Sequence, residues 1–560
     1  MSLNGSLYIG RSAMLASQAA LQIAGHNMAN AATPGYHRQS VHMAPLYGSS
    51  VGRGLYVGQG VQISAIRREI DTALQARYRD SLSQEGGAGI EYRFLSTIES
   101  IQNELTDNDL SSALSDFFNA FSELANNPED AAIRSIVIQE GQSIAGRIAD
   151  MRTQYNGLAE EIEQSLHNSV SVANDLLDQI ALINVQIVDS GAGGAGSLMD
   201  QRDLLIDELS QYIDITVLPH DNGVVDIQIG SIPVVLAGQS RGIALQVENS
   251  GEMTEISLRV ASDGTTLQAG TGAIGSLMTQ RTETVLPAIE TLETFARELI
   301  FNVNRIHSQG QGQQGWEQVT GTYGVTDPTV PLAISDLPFS FGAGSFQLHV
   351  IDQATGIAQT VQVAIDPATM SMEDVAAAIN AEAGEFGVVA AVGTGGVLTI
   401  EAATGTELTF SDDTSGVLAA LGVNTFFDGV SATTMSVHDA IAADPSMLAA
   451  GGNNEPGSTA TAVLLAALQE ESISGLGNVS LREYWQSSVS GLAIRTQSAL
   501  NSAETAGLVR SNLFAQAQSV SGVSLDEESI NLITWERQFQ AAARFISVID
   551  ETLEILMSLP

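Results

Sequence analysis

The feature that most limits the fold of this chain is a heptad repeat close to its carboxyl terminus. Ser524 and Glu527 have the spacing of a capping box, which marks the start of a helix. Apolar residues then recur at alternating intervals of three and four over a helical length of about 37 Å. This register predicts one long amphipathic helix that packs against another helix. Its positions are Leu532, Trp535, Phe539, Ala542, Ile546, Ile549, Leu553 and Leu556.

The amino-terminal segment is the candidate partner. Its residues 3–28 would span about 38 Å as a helix, and they carry one row of large and one row of small side chains. We therefore expect the two ends to pair as antiparallel helices. Because Gly and Ser each cost roughly 0.5–1 kcal/mol inside a helix relative to Ala, we expect the first helix to be poorly ordered without a partner. The large row is Leu7, Met14, Leu21 and Met28, the small row is Gly10, Ser17 and Ala24, and Leu3 is a further predicted interface position.

A tight turn ends the first helix at Thr33-Pro34-Gly35-Tyr36. Pro34 presets φ at the second position of a type II turn, and Gly35 supplies the positive φ of the third. Pro34 also disfavours helical geometry at Thr33. The sequence therefore predicts a sharp change of chain direction here.

Composition excludes several classes of protein. The chain of 560 residues has no cysteine, which rules out disulfides, cysteine-ligated zinc and thiol catalysis. Its net charge of −42, with no lysine, argues against binding to nucleic acid. The sequence has no apolar run long enough for membrane insertion and no secretory signal at its start. We expect a folded protein that stays in the cytoplasm or is exported without a cleaved signal peptide.

The acidic charge is concentrated in the middle of the chain. Residues 1–80 have a net charge of +4, residues 481–560 of −4, and residues 81–480 of −42. Solubility is one explanation of this distribution. The other is that the ends pack against copies of themselves, where like charge would be repulsive, while the middle faces water.

The periodicity changes several times between the two ends. Residues 90–213 have helical spacing, including a long register through residues 166–187 and a glycine-rich break at 189–197. Residues 214–280 alternate as strands, and residues 311–435 form a second strand-rich region with one predicted helix at 372–384. We expect an α+β multidomain protein in which both termini form a long-helix, coiled-coil-like stem with antiparallel β domains inserted at its far tip. The predicted segments are an axial helix and turn (1–45), the first part of the helical stem domain (46–213), a β-rich insert (214–282), a return helix (283–310), a second β-rich insert (311–436), the second part of the stem (437–520) and a carboxyl-terminal axial helix (521–560).

Two glycine motifs could indicate catalysis or cofactor binding. The stretch GAGGAG at residues 191–196 matches a dinucleotide-binding pattern, which requires a buried strand before it. The stretch GQSRG at residues 238–242 matches a nucleophile elbow, which requires a helix after Ser240. The first motif follows a helical register, so we interpret it as a connection between helices. The second motif precedes a strand-like alternation, so we interpret it as a hairpin turn.

The histidines of the chain are scattered and predict no metal site.

Three stretches resemble the flagellar axial family of rod, hook and hook-associated proteins. MANAATPGYHRQSV (28–41) resembles the A-N-x-x-T-P-G-Y motif that ends the first helix of these proteins, carried here by Asn30, Thr33, Pro34, Gly35 and Tyr36. SGVSLDEESINLITWERQFQAAARFISVIDETLEILM (521–557) is similar to the carboxyl-terminal family pattern, with Ser and Phe where Asn and Tyr are usual. LMDQRDLLIDELS (198–210) looks like a segment of the hook-associated protein 1 branch, and residues 340–423 resemble flagellin-type β inserts.

The resemblance implies a structural adaptor at the junction of hook and filament, and neither an enzyme nor a cofactor-binding protein. It implies self-association in a ring or layer through the two rows of the terminal helices. The implied partners are hook protein, the second junction protein (hook-associated protein 3) and an export chaperone bound to the carboxyl-terminal part. The implied location is the extracellular flagellum, reached through type III export.

Alternatives remain open at this point. The chain could be another axial subunit, from hook or filament, which would polymerise without limit. It could be a secreted enzyme that uses the β insert, with Ser240 or an acidic pair as catalyst. An adhesive role of the exposed β region would be compatible with the adaptor function.

Overall fold

The computed structural model describes residues 3–52, 55–104, 109–190, 195–250, 253–452, 455 and 457–558. Helices dominate; two of them have 60 and 41 residues, and two more have 33 and 31. The helices are α1 (Leu3–Ala29), α2 (Thr72–Gln102), α3 (Leu110–Asn126), α4 (Ala131–Ser190), α5 (Gly196–Tyr212), α6 (Gly272–Gln280), α7 (Leu286–His307), α8 (Met372–Ala383), α9 (Val417–Leu421), α10 (Asp439–Ala443), α11 (Ala460–Ala467), α12 (Leu481–Ser521) and α13 (Leu525–Met557). A π-helical turn, Arg281–Val285, joins α6 to α7.

The strands form small antiparallel sheets, so the fold is α+β with several domains, as predicted. Their orders are β1-β4, β2-β3, β5-β6-β7-β8, β11-β10-β9, β12-β16-β15, β14-β13-β17 and β18-β19. The strands are β1 (Gln39–Pro45), β2 (Ser49–Gly52), β3 (Leu55–Val57), β4 (Val61–Arg68), β5 (Thr216–Pro219), β6 (Val225–Ile229), β7 (Ile232–Leu236), β8 (Gln239–Ser240), β9 (Ile243–Ser250), β10 (Met253–Val260), β11 (Thr266–Leu267), β12 (Gln318–Thr320), β13 (Gly344–Asp352), β14 (Ala358–Ile365), β15 (Val389–Val392), β16 (Leu398–Glu401), β17 (Thr406–Ser411), β18 (Phe427–Asp428) and β19 (Ser436–Val437).

Strands β1 to β4 occupy part of the segment that we expected to be helical stem. Val41 pairs with Ile66 and Met43 with Ile63, and α1 packs on this hairpin. Alternating β-branched and polar residues in 61–66 favour a strand, and the turn at residues 33–36 prevents α1 from continuing into it. The helical part of the predicted segment 46–213 therefore begins only at Thr72.

Residue contacts divide the chain into two compact units. The terminal unit consists of Met1–Arg93, Ile162–Gln280 and Ser498–Pro560, and the central unit of Phe94–Glu161 and Arg281–Gln497. This division cuts across the predicted boundaries, because α2, α4 and α12 each run through both units. The first β region belongs to the same unit as the terminal helices, which differs from our expectation that both β regions lie at the far tip of one stem.

Two asparagines of α4 explain this grouping. The side chain of Asn184 is fully buried, donates to the carbonyls of Val225 and Ala237, each at 2.8 Å, and accepts from Val225 N–H at 3.2 Å. The side chain of Asn174 binds both backbone groups of Ile243 at 2.8 Å. These bonds tie backbone groups at the start of β6, at the start of β9 and in the turn before β8 directly to α4, so the sheets are fixed along the helix.

The central unit has its own apolar cores. Strands β13, β14 and β17 pack with α8 around residues that include Phe346, Val375 and Phe410. A second group of aromatic rings joins α3 to the start of β18, with the ring centre of Phe117 5.6 Å from those of Phe426 and Phe427. The second β region is therefore a folded body with helices of its own.

The two glycine motifs lack the structural context that catalysis requires. Residues 191–194 lie outside the described residues, but α4 ends before them and α5 begins at Gly196, so a helix stands where the dinucleotide motif needs a strand. Ser240 lies in β8 opposite Val235, and strand β9 follows. Ser240 is thus a strand residue, whereas we placed it in the turn; the turn itself is at Ala237, which has φ +56°.

Within the described ranges, no helix is both long and apolar enough to span a membrane. Over the same ranges, no group of three or more His, Asp or Glu side chains is arranged to hold a metal ion.

Candidate assembly site at the terminal helix pair

Helices α1 and α13, which we call the terminal helix pair, pack side by side and antiparallel. Gly10 near the start of α1 faces Ile546 in the second half of α13, and Asn27 near the end of α1 faces Glu528 at the start of α13. A Cβ atom on Gly10 would lie 2.7 Å from Ile546 Cγ1. The absence of a side chain at Gly10 therefore allows the two helices to approach closely.

The small row of α1 forms the buried side of this contact. Gly10, Ser17 and Ala24 are all buried, and Ala16 and Ala20 are each only 3% exposed. On α13 the heptad positions face inward, and Ala542 and Ile549 are buried. The remaining predicted positions are half-buried, except Leu556, which is 53% exposed, and Leu3, whose side chain lies outside the described residues; the half-buried ones are Leu7, Met14, Leu21, Met28, Leu532, Trp535, Phe539, Ile546 and Leu553.

The partner that orders α1 is thus α13 of the same chain. We expected α1 to be poorly ordered until it met a partner, and the single chain already provides one. The physical reason is that both helices are anchored in the same unit, which makes their encounter intramolecular and raises their effective concentration.

The side chain of Asn27 links the end of α1 to the strand after the turn and to the start of α13. Its amide nitrogen donates to the Gln39 carbonyl at 2.9 Å and to Glu528 Oε2 at 3.2 Å. Its amide oxygen accepts from Gln39 N–H at 3.0 Å and from the Tyr36 hydroxyl at 2.7 Å. Asn27 is 1% exposed, so all of its hydrogen-bonding capacity is used inside the protein.

Glu528 is the buried charge of this contact. Its side chain is 3% exposed and pairs with Arg38, whose Nε lies 2.8 Å from Glu528 Oε1. Arg38 also binds the exposed Glu527 at 2.9 Å, and its backbone N–H donates to the Ser521 carbonyl at 2.8 Å. The start of α13 is therefore held to the chain just after the turn by a paired charge, which is the condition under which a carboxylate is tolerated in the interior.

The turn at residues 33–36 has the geometry that the sequence predicts. Gly35 has φ +72°, and Tyr36 N–H donates to the Thr33 carbonyl at 3.2 Å. Burial and the nearby charges of Asp200 and Glu528 raise the pKa of Tyr36 to about 12. The Tyr36 hydroxyl therefore keeps its proton and donates to Asn27. The side chain of Asn30 makes a contact within the same helix end, because it donates to the His26 carbonyl at 2.9 Å.

Sequence reasoning missed an ion network behind the turn. Asp200, Asp203 and Asp207 lie on one face of α5, and Arg68 bridges the first two with N···O distances of 2.9 and 2.7 Å. Arg79 binds Asp207 at 2.6 Å. The spacing of three and four between these aspartates was the signal that could have indicated a shared face of a helix.

Opposing effects set the pKa values in this network. Burial would raise the pKa of Asp203, but Arg68, Arg79 and Arg202 outweigh it and hold that pKa below its usual value. At Asp207 burial dominates and raises the pKa, although Arg79 partly compensates. The network is a structural charge cluster that joins α5 to β4 and α2.

The outer face of α13, which points away from α1, remains uncovered in the single chain. Ile530, Ile533 and Val548 are 65%, 49% and 60% exposed. Arg537 and Arg544 lie on the same face, are exposed, and have no ion-pair partner among the residues that the structure describes. A face of this kind, apolar with isolated cations, is typical of a contact surface.

Comparison with known proteins identifies the family. The flagellar hook-associated protein 1 of Bacillus subtilis strain 168 is 30% identical to this chain over 360 residues, which cover 58% of this chain and 71% of that protein. The chain belongs to the flagellar hook-associated protein 1 family. The hook-associated protein 1 of Escherichia coli K12 is 25% identical over 98% of both chains, and that of Salmonella typhimurium LT2 is 24% identical over 98% of both.

Family models agree with membership of the hook-associated protein 1 family, and one solved structure shares the fold. The model described as the helical domain of flagellar hook-associated protein FlgK matches residues 95–322. The model of the flagella basal body rod protein matches residues 7–37, and that of the carboxyl-terminal part of basal body rod FlgEFG proteins matches residues 515–559. The flagellar hook junction protein FlgK from Burkholderia pseudomallei has the same fold, with a TM-score of 0.50 and 16% identity over 80% of this chain and all of that one.

Proposed function

We propose that this protein is the structural adaptor that joins the flagellar hook to the filament and that its terminal helix pair carries the assembly contacts. Membership of the hook-associated protein 1 family supports the role of a junction adaptor rather than that of a hook or filament subunit. The observation that supports this assembly site is the difference between the two faces of α13. Its inner heptad face packs against α1, whereas the apolar side chains of its outer face are exposed in the single chain.

The predicted interface residues then act in two ways. In this proposal the heptad positions and the two rows of α1 hold the pair together as one unit, which the burial of Ala542, Ile549 and the small row supports. The outer face of α13 makes the contacts between neighbouring copies, which associate in a ring or layer. Burial of an apolar side chain contributes about 1.5–3 kcal/mol, so a few such residues suffice for a strong contact.

The further partners follow from the same proposal. The adaptor contacts hook protein on one side and the second junction protein on the other, and an export chaperone binds its carboxyl-terminal part before export. It reaches the outside through the flagellar type III apparatus without a cleaved signal peptide. Its role is structural and not enzymatic.

Deletion of either terminal helix tests the proposal. Cells that express the chain without residues 3–28, or without residues 532–556, should bear hooks without filaments, while the purified variant should retain the circular dichroism and cooperative unfolding of its central unit. A filament subunit would polymerise indefinitely in solution, whereas this adaptor should stop at a short layer. Normal filament attachment by either deletion variant would refute the proposal.

A further inference from the structure

A groove of about 610 Å³ lies beside the turn in the terminal unit. Its walls come from four separate parts of the chain: the turn, α2, α5 and the end of α12. The residues that characterise it are Pro34, Tyr78, Leu204, Glu208, Phe514 and Val523. Tyr36 and Ser521, which take part in the contacts of the terminal helix pair, form part of its wall, but its exposed side chains Leu204, Glu208 and Phe514 make none of those contacts.

The groove has a mainly polar lining that carries net negative charge, and two large apolar side chains are exposed in it. Leu204 is 46% exposed and Phe514 44%, although both are large apolar side chains. Asp207 and Glu208 line the groove, and neither Arg nor Lys does. Asp207 is bound to Arg79, but Glu208 is exposed and has no ion-pair partner within the described part of the chain. Glu208 is therefore free to receive a cation.

The outer face of α13 is complementary to this groove. Between residues 530 and 548 it combines the exposed apolar residues Ile530, Ile533 and Val548 with the unpaired cations Arg537 and Arg544. The acids Asp526 and Glu551 lie on the same face but outside this stretch. Cations on one surface and an unpaired acid on the other, each beside exposed apolar side chains, are the arrangement that selects and orients a contact.

The two surfaces do not meet within one molecule. Val523 lies in the groove, and α13 begins two residues later, at Leu525. At 1.5 Å per residue, Arg537 and Arg544 lie about 18 and 28 Å further along a continuous helix. The helix carries its outer face away from its own groove, so the occupant must come from another molecule.

We propose that the outer face of α13 of one copy docks in the turn groove of a second copy, with an arginine of that face against Glu208. This inference rests on the proposed function, because it names the surfaces through which copies associate. The contact joins two different surfaces and is heterologous, and such contacts form rings or helical layers rather than closed dimers.

Charge reversal provides the first test, measured as the fraction of hooks that bear filaments in cells. Glu208→Arg should reduce that fraction by about tenfold or more, because like charges would then face each other. Arg537→Glu or Arg544→Glu, combined with Glu208→Arg, should restore it. Glu504→Arg, which changes an exposed acid of α12 outside the groove, is the matched control and should leave attachment unchanged.

Cross-linking provides the second test and does not depend on loss of function. The chain has no cysteine, so each introduced thiol is the sole one. Flagella from cells that co-express differently tagged Leu204→Cys and Val548→Cys copies should yield a mixed disulfide dimer on oxidation, and Leu204→Cys with Glu504→Cys should not.

The outcomes separate the two proposals. If deletion of residues 532–556 prevents filament attachment but Glu208→Arg does not, or if Leu204→Cys couples only to a different protein, the docking contact is wrong and the adaptor function stands. If the deletion variant still attaches filaments, the adaptor mechanism itself is wrong.

Discussion

Asn27 donates a hydrogen bond of 3.2 Å to Glu528 Oε2, across a separation of 501 positions in the sequence. The contact is buried and joins the end of the first helix to the start of the last one. Because Glu528 is also paired with Arg38, one polar cluster holds α1, the strand after the turn and α13 together. The two ends of the chain are thereby fixed to each other before any neighbour is present.

Asn27→Ala should weaken the terminal helix pair. The substitution leaves both backbone groups of Gln39 and the Tyr36 hydroxyl without their buried partner, and each unsatisfied group costs about 1–3 kcal/mol. Hydrogen exchange of α1 and α13 measures the effect as a faster exchange than in the wild type. Asn30→Ala is the control, since Asn30 is half-buried and binds only within residues 26–33. Equal exchange in both variants would contradict the role of Asn27.

Gly10→Val should separate α1 from α13 locally. Its Cβ would lie 2.7 Å from Ile546 Cγ1, and its branches would require more room still. Overpacking of this kind costs about 1–3 kcal/mol. Gly25→Ala is the matched control because no atom lies within 4 Å of its added Cβ, so it should stabilise α1 by up to about 1 kcal/mol. Thermal unfolding, together with hydrogen exchange of α1, distinguishes the two variants. A Gly10→Val variant as stable as the wild type would show that the helices do not pack closely at this position.

Asp203→Asn should destabilise the terminal unit. The carboxylate faces Arg68, Arg79 and Arg202, and removal of one member of a buried ion cluster costs about 3–5 kcal/mol. Urea unfolding near neutral pH measures the loss. Asp178→Asn, at an exposed position of α4, removes the same charge and should change stability by less than about 0.5 kcal/mol. If both variants have the same free energy of unfolding, the ion network affects stability only through its net charge.

His307 should make the central unit sensitive to acid. The imidazole is fully buried; its Nε2 accepts from Ala449 N–H at 3.0 Å, so its Nδ1 carries the proton and donates to the Asn424 carbonyl at 2.9 Å. Burial, together with the charges of His438 and Arg134, lowers the pKa of His307 to about 4. The folded protein therefore holds this histidine neutral.

The sign of the pH effect follows from that depressed pKa. Above pH 6.5 neither the folded nor the unfolded state protonates His307, and the full stability is present. As the pH falls from 6.5 to about 4, only the unfolded state gains the proton, and the free energy of unfolding should drop by about 3 kcal/mol. His307→Gln should lack this part of the pH dependence, whereas His42→Gln, at a half-exposed position, should retain it. Parallel pH profiles of wild type and His307→Gln would contradict the assignment.

Local patterns predicted the features that depend on neighbours in sequence. The heptad register identified the face of α13 that contacts α1, and the small row identified where α1 is approached closely, because both follow from the helical repeat. Pro34 and Gly35 predicted the turn, since their backbone preferences are intrinsic. The prediction assigned residues 46–71 to the helical stem, whereas short alternating segments there form strands.

The sequence by itself determined the helical termini, the turn between α1 and β1, and the family, because periodicity and residue type act over a few positions. Only the tertiary structure decided that Asn27 meets Glu528, that Arg68 joins Asp200 to Asp203, and that the first β region belongs to the terminal unit. The physical reason is that a buried polar group gains its stabilisation from whichever partner the packing brings within about 3 Å, and the distance along the chain does not enter that energy.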